Sequence, residues 1–271
     1  METHFLLAGV SALALSATAV AAQDVAVVEL SFGSMDLSAD SNNDGDFDDS
    51  SVFMLTGQAF ARTGNYVLEI QGQTTGSVDD TDDAENSSSF GAVVHYIRPL
   101  GAGNLGFAGG VLGGTNVEEN DGAIYGLLAV NYGGDNWSVG LGNISVIQGQ
   151  DDDDQVKTMT YVSGAYSFDV AQNTSLQFGG YYGQGISSQY SAEDVDMLGA
   201  ELNATIYYDV ADNMTAHFGI SSFRLEDEND EQANGTDISF GLSIVIGGSR
   251  DRIPFDTPDF HREMTWADEA F

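Results

Sequence analysis

Cysteine is absent from the 271 residues, histidine occurs four times, and lysine and arginine together number seven against 42 aspartates and glutamates. Each shortage excludes something. Without cysteine there is neither a disulfide framework nor a thiol site, so an exported chain of this size must draw its stability from its secondary structure. With so few bases the formal charge is −35, a field that repels nucleic acid and anionic membrane surfaces and attracts divalent cations. Nucleic-acid binding is excluded on that ground. Long apolar runs are missing too: after Ala22 no stretch approaches the roughly 18 residues of a transmembrane helix. A membrane-embedded chain of this kind must therefore be a closed barrel, because only helices and barrels satisfy every backbone polar group in lipid.

The N-terminus holds an apolar run, Phe5 to Leu15, followed by small residues ending in Ala19-Val20-Ala21-Ala22. This pattern predicts a secretory signal peptide over residues 1–22, cleaved after Ala21 or Ala22. It departs from the usual signal in carrying Glu2 and His4, and no base, ahead of the run.

Two kinds of connection alternate beyond it. The links after Leu37, Val78, Thr115, Gln148, Ile186 and Glu226 are long and acidic. Those at Gly64-Asn65, Pro99 to Asn104, Gly133 to Asn136, Asp169 to Asn173 and Asp209 to Asn213 are short. About two dozen of the 42 acidic residues sit in the long links, as in Asp151 to Asp154. Between the links lie twelve stretches of roughly ten residues, the length of a tilted strand crossing a bilayer. Their alternation has period two: Ile238, Phe240, Leu242, Ile244 and Ile246 share one face, with Ser239, Gly241, Ser243, Val245 and Gly247 on the other. A sheet wetted differently on its two sides is the expectation.

A hairpin unit recurs weakly, best seen in Tyr166 to Gly179 and Tyr207 to Gly219. In it an aromatic strand end leads through Asp-Val-Ala-x-Asn into the next strand. Aromatics collect at the short turns: Tyr66, Tyr96, Tyr132, Trp137, Phe168, Tyr207 and Tyr208. Amphipathic rings favour the headgroup layer, so these are expected to form a girdle. Signal, hairpins, glycine-rich strands and charged long links together resemble bacterial outer-membrane β-barrel proteins of the porin-like class. The resemblance covers roughly Asp24 to Gly248. It implies an all-β, antiparallel up-and-down transmembrane barrel of about 12 strands (residues 23–248), with acidic external loops, short periplasmic turns and both termini on the periplasmic side. The last strand also resembles the assembly signal of such barrels, in Ser239, Gly241, Ile244 and Ile246. Unlike most of them, the chain continues into a tail, residues 249–271, where Thr257-Pro258-Asp259 reads as the start of a short amphipathic helix. That helix is expected to pack on the periplasmic rim or to enter the lumen as a partial plug. A disordered end is the alternative.

Chemistry has two candidate seats. Asp40, Asn42, Asp44, Asp46 and Asp48, with Gly45 at the sharp turn, match the first part of a calcium loop of EF-hand type, although Ser51 stands where the bidentate Glu is required. The expectation is no required cofactor and at most weakly bound Ca²⁺ or Mg²⁺, against the alternative of a plain solvated loop. Glu29, Glu69, Gln71, Glu201, Asn203 and Arg224 are the expected pore-lining residues. Their surplus of carboxylate favours cations in a water-filled lumen, unless Arg98, Arg224 or His217 neutralises it. Some twelve-stranded barrels are lipid hydrolases, but only His95 and His217 lie outside signal and tail, and no Gly-x-Ser-x-Gly elbow occurs. The expected function is thus non-enzymatic, a passive diffusion channel for small, cationic, hydrophilic solutes. A non-conducting structural or adhesive barrel with cation-binding loops is one rival, and a soluble secreted β-sandwich or solenoid is the other. The expected partners are outer-membrane lipid and lipopolysaccharide, small solutes and, as an open alternative, further copies of the chain.

Overall fold

In a computed structural model of the chain, twelve strands pair in sequence order and close on themselves, each antiparallel to its neighbours, with the first bonded to the last. The structure describes residues 25–40, 48–77, 87–116, 121–148, 155–188, 194–228, 232–247, 257, 258 and 260. The expected signal peptide, most of the calcium-type loop and most of the tail lie outside them. The strands are β1 (Val25–Asp40), β2 (Asp48–Thr63), β3 (Tyr66–Ser77), β4 (Ser87–Leu100), β5 (Gly103–Asn116), β6 (Asp121–Gly133), β7 (Trp137–Gln148), β8 (Gln155–Ala171), β9 (Thr174–Ser188), β10 (Asp194–Ala211), β11 (Met214–Asp227) and β12 (Gln232–Ile246).

The turn chemistry explains the tight ends. Gly64 and Gly101 adopt positive φ of 58° and 61° at the β2–β3 and β4–β5 turns, a conformation in which any side chain is strained. Asn173 and Asn213 accept backbone bonds from Asp209 and Val245 at the β8–β9 and β10–β11 turns.

The strands run 12 to 18 residues, longer than the ten or so expected. Their extra length lies beyond the apolar belt. On the outer face of β12, Ile246 to Ile238 is apolar at every second position, and Thr236 and Asn234 continue the same face as polar residues. On β1 the belt ends at Phe32 and gives way to Ser34 and Asp36. The ladder keeps pairing after the wall has left lipid, since backbone groups need partners in water as well.

The girdle forms as expected except at one position. Tyr66 and Tyr96 meet at a tilt, 5.2 Å apart, and Tyr132 and Trp137 edge to face, 5.6 Å apart, all on the outer face near the short turns. Tyr207 does not join them. It alternates with exposed Tyr208, turns inward and meets the His217 ring at 5.8 Å.

Candidate functional site

Alternation fixes which side chains enter the lumen, and the inner face changes character along its length. Toward the long links it is mainly apolar: Met35, Leu112, Tyr125, Leu127, Ile144 and Met159 are essentially inaccessible to water, with buried Thr75, Asp227 and Asp237 among them. The apolar ones belong to one buried cluster with contributions from every strand except β3. Side chains this deeply buried leave no water-filled passage at their level. Toward the short turns the lumen opens into a cavity of about 980 Å³, lined by Gln58, Asn131, Ser163, Gln177, Asn203 and Thr215 among others, and reaching Asp135 and Asp212 in the turns. A half-lumen walled by amides and hydroxyls holds water. Val27 and Phe60, which also line it, belong to a second, smaller apolar cluster with Val25, Val67 and Ile97.

What closes the apolar half includes the chain's own tail. Thr257, Pro258 and Phe260 lie inside the barrel, Thr257 and Pro258 bordering the cavity and Phe260 wholly buried in the apolar cluster. The Thr257 hydroxyl donates to Glu69 Oε2 at 2.7 Å. His95 Nε2 is 2.7 Å from the same oxygen, and the Gln58 amide donates to Oε1 at 3.2 Å. A carboxylate that accepts from both Thr257 and His95 implies the tautomer with hydrogen on Nε2. Three residues beyond Thr257, the Phe260 ring sits 4.8 Å from Tyr161 and 5.2 Å from Tyr181, centroid to centroid, within the range of favourable aromatic pairs. Thr257, Pro258 and Phe260 have no regular secondary structure. These three residues lie inside the wall, and the rest of the expected helix falls outside the described residues.

The expected lumen residues divide accordingly. Glu29, Glu69, Gln71, Glu201 and Asn203 all face inward. Gln71, Glu201 and Asn203 line the cavity, whereas Glu69 is sealed beneath the tail. Arg224 is a correction. The register β10 to β11 to β12 places it outside with Ile220 and Phe218, half-exposed and 2.7 Å from Glu226. Nor is Glu69 neutralised by Arg98, Arg224 or His217; its partner is His95, and Arg98 is exposed. Of the calcium-type loop, Asp40 and Asp48 mark the ends of β1 and β2, and Asn42, Asp44 and Asp46 lie outside the described residues. Among the described residues no cluster of His, Asp or Glu suits a metal.

His217 has a partner that sequence spacing does not reveal, Ser31 Oγ at 2.8 Å from Nε2. The two lie on β1 and β11, with β12 between them, and Gly241 is the residue paired with both. Gly241 makes the contact because a Cβ there would lie 2.3 Å from the Leu30 carbonyl and 2.5 Å from His217 Nε2. A hydroxyl against an imidazole is the start of a nucleophile. The flanking main chain, however, is engaged in the ladder, so it provides no spare amides to hold an oxyanion. Gly241→Ala should cost roughly 1–3 kcal/mol, because overpacking here meets backbone that must shift. The urea midpoint of refolded barrel measures it.

No family model matches the sequence, and no curated protein matches it. Among solved structures, an outer-membrane channel from Pseudomonas putida F1 superposes with a TM-score of 0.52 at 16% identity, over 82% of this chain and 95% of that one. The fold is that of a bacterial outer-membrane barrel. Its outward apolar belt suits that setting, since a closed antiparallel sheet is the strand solution to crossing lipid. More distant likenesses are the KdgM porin, with a TM-score of 0.45 at 11% identity over 79% of this chain and 98% of that one, and the outer membrane phospholipase A of Escherichia coli, at 0.47 and 12% over 79% and 89%.

Proposed function

We propose that the chain is a porin-like conduit for small hydrophilic solutes, at rest closed by its own C-terminal segment and preferring cations when open. The observation that carries this reading is the division of the lumen. A polar cavity of about 980 Å³ faces the periplasmic turns and ends at a stopper that includes Phe260, which belongs to the tail and not to the wall. Inward Glu29, Glu201, Asp209 and Asp237 outnumber Arg62, the inward base of β2, so the path carries a negative potential that favours cations. In planar bilayers the wild type should conduct rarely or at low level. Thr257→Val, which removes the latch to Glu69 without touching the wall, should raise the open fraction several-fold, and the reversal potential in a KCl gradient should take the sign of K⁺ permeation. Silence from both proteins, or anion preference, would sink it.

The rival reading, a non-conducting structural barrel, is favoured by one specific observation: the inward apolar cluster draws on nearly every strand, so the wall itself contributes to the closure. Silence of the Thr257→Val barrel is the result that reading requires.

A further inference from the structure

The seat that Phe260 fills is better matched to a different occupant. Among the buried polar atoms without a hydrogen-bond partner among the described residues are the Tyr181 hydroxyl, on the very ring that Phe260 packs against at a tilt, and His95 Nδ1, on the imidazole that shares Glu69 with the tail. Both side chains are at least nine-tenths buried. A phenyl ring has nothing to offer either atom, and a buried polar atom left unpaired is destabilising. The wall thus supplies two aromatic faces, from Tyr161 and Tyr181, and nearby hydrogen-bonding groups that its present guest leaves idle. Three residues reach no more than about 10 Å, so the Thr257 latch and the Phe260 ring belong to one compact seat. Tyr181 also borders the polar cavity beside its β10 neighbour Glu201, which gives the seat an approach from the periplasmic side.

We infer that this seat is a solute-binding site, occupied by the tail as a stand-in, for a small aromatic ring bearing a hydroxyl or amine. The ring takes the place of Phe260 between Tyr161 and Tyr181. Its substituent bonds the Tyr181 hydroxyl or the group formed by His95 and Glu69. Charge sets the class further: with Glu69 and Glu201 close by, neutral phenols and arylalkyl ammonium ions are accepted and aromatic carboxylates are refused. The inference deepens the conduit reading, in that it names what the closed path would bind.

The test is binding to full-length folded barrel in detergent, which needs no conductance and so succeeds or fails apart from the channel reading. Phenol, tyramine, toluene and benzoate are titrated calorimetrically into the wild type, Phe260→Ala, and Phe260→Ala with Tyr181→Phe, each verified as folded by heat-modifiable migration. Phe260→Ala should bind phenol and tyramine at least tenfold more tightly than the wild type, whose ring must first be displaced. It should prefer both to toluene and show no affinity for benzoate. Adding Tyr181→Phe should weaken phenol about tenfold and leave toluene unchanged. A plain cavity the size of a ring would bind toluene at least as well as phenol, and that result overturns the inference. So does benzoate binding on a par with phenol, indifference to Tyr181→Phe, or no binding by Phe260→Ala. Should Phe260→Ala fail to fold, Thr257→Val is titrated in its place, with the same preference for phenol over toluene expected and the same reversal fatal.

Discussion

Glu69→Ala should lower the stability of the refolded barrel by about 3–5 kcal/mol, since it strips several donors of a shared acceptor and each buried one left unpaired costs about 1–3 kcal/mol. Glu69 is fully buried and accepts from Thr257, His95 and Gln58. Truncation strips all three donors of their acceptor, and Val67 and Ile97, two positions along in β3 and β4, cannot replace it. The informative comparison is with the triple change Glu69→Met, His95→Leu and Thr257→Val, which removes the whole polar group at once. Replacing a buried polar set by apolar side chains of similar volume is frequently neutral, so the triple variant should recover most of the loss. Urea midpoints in one detergent decide the matter. A Glu69→Ala barrel within about 1 kcal/mol of wild type would mean that the carboxylate is wetted and the latch is not closed.

A second large effect belongs to the outer surface. Leu242 lies at the centre of the apolar face of β12, two positions from Phe240 on one side and Ile244 on the other, and half-exposed. Leu242→Arg should cost about 2–4 kcal/mol when the barrel is folded in lipid, the penalty of a guanidinium near the bilayer midplane. Thr236→Arg lies on the same outward face of the same strand but beyond the belt, so it should cost no more than about 1 kcal/mol. Equal costs at the two positions would show that the belt is not in hydrocarbon.

The strand count and every short turn are legible in the sequence because they rest on local chemistry: period-two alternation, and Gly, Asp and Asn where the backbone must reverse. The side of Arg224 was not legible, and the reason is physical. On β11, Phe218 and Ile220 point to lipid, but Phe223 and Leu225 point to the lumen core, so the apolar face changes sides within one strand. Where the wall leaves the membrane its outer face turns polar, just as its inner face turns apolar to build the closure. Hydropathy alone then assigns such residues to the wrong side, whereas counting from Phe218 assigns them correctly. Tyr207 misleads for a related reason: an aromatic pair at a strand end must send one ring each way. The latch is of another kind. Thr257 and Glu69 are 188 residues apart, and nothing local in either segment announces the other. Nor does the tail's own pattern announce the seat of Phe260, which is set by Tyr161 and Tyr181 across the lumen.

The stopper is covalent to the barrel it closes. Ten peptide bonds separate Gly247, at the end of β12, from Thr257, enough to reach about 35 Å. A link of this length holds its end near its seat at an effective concentration on the order of millimolar. Dilution of the protein never weakens that hold, and a guest diffusing freely must either match it in abundance or exceed it in affinity. On the proposed reading the barrel would accordingly admit a solute as a threshold instrument, nearly indifferent to traces and responsive once the surroundings are rich.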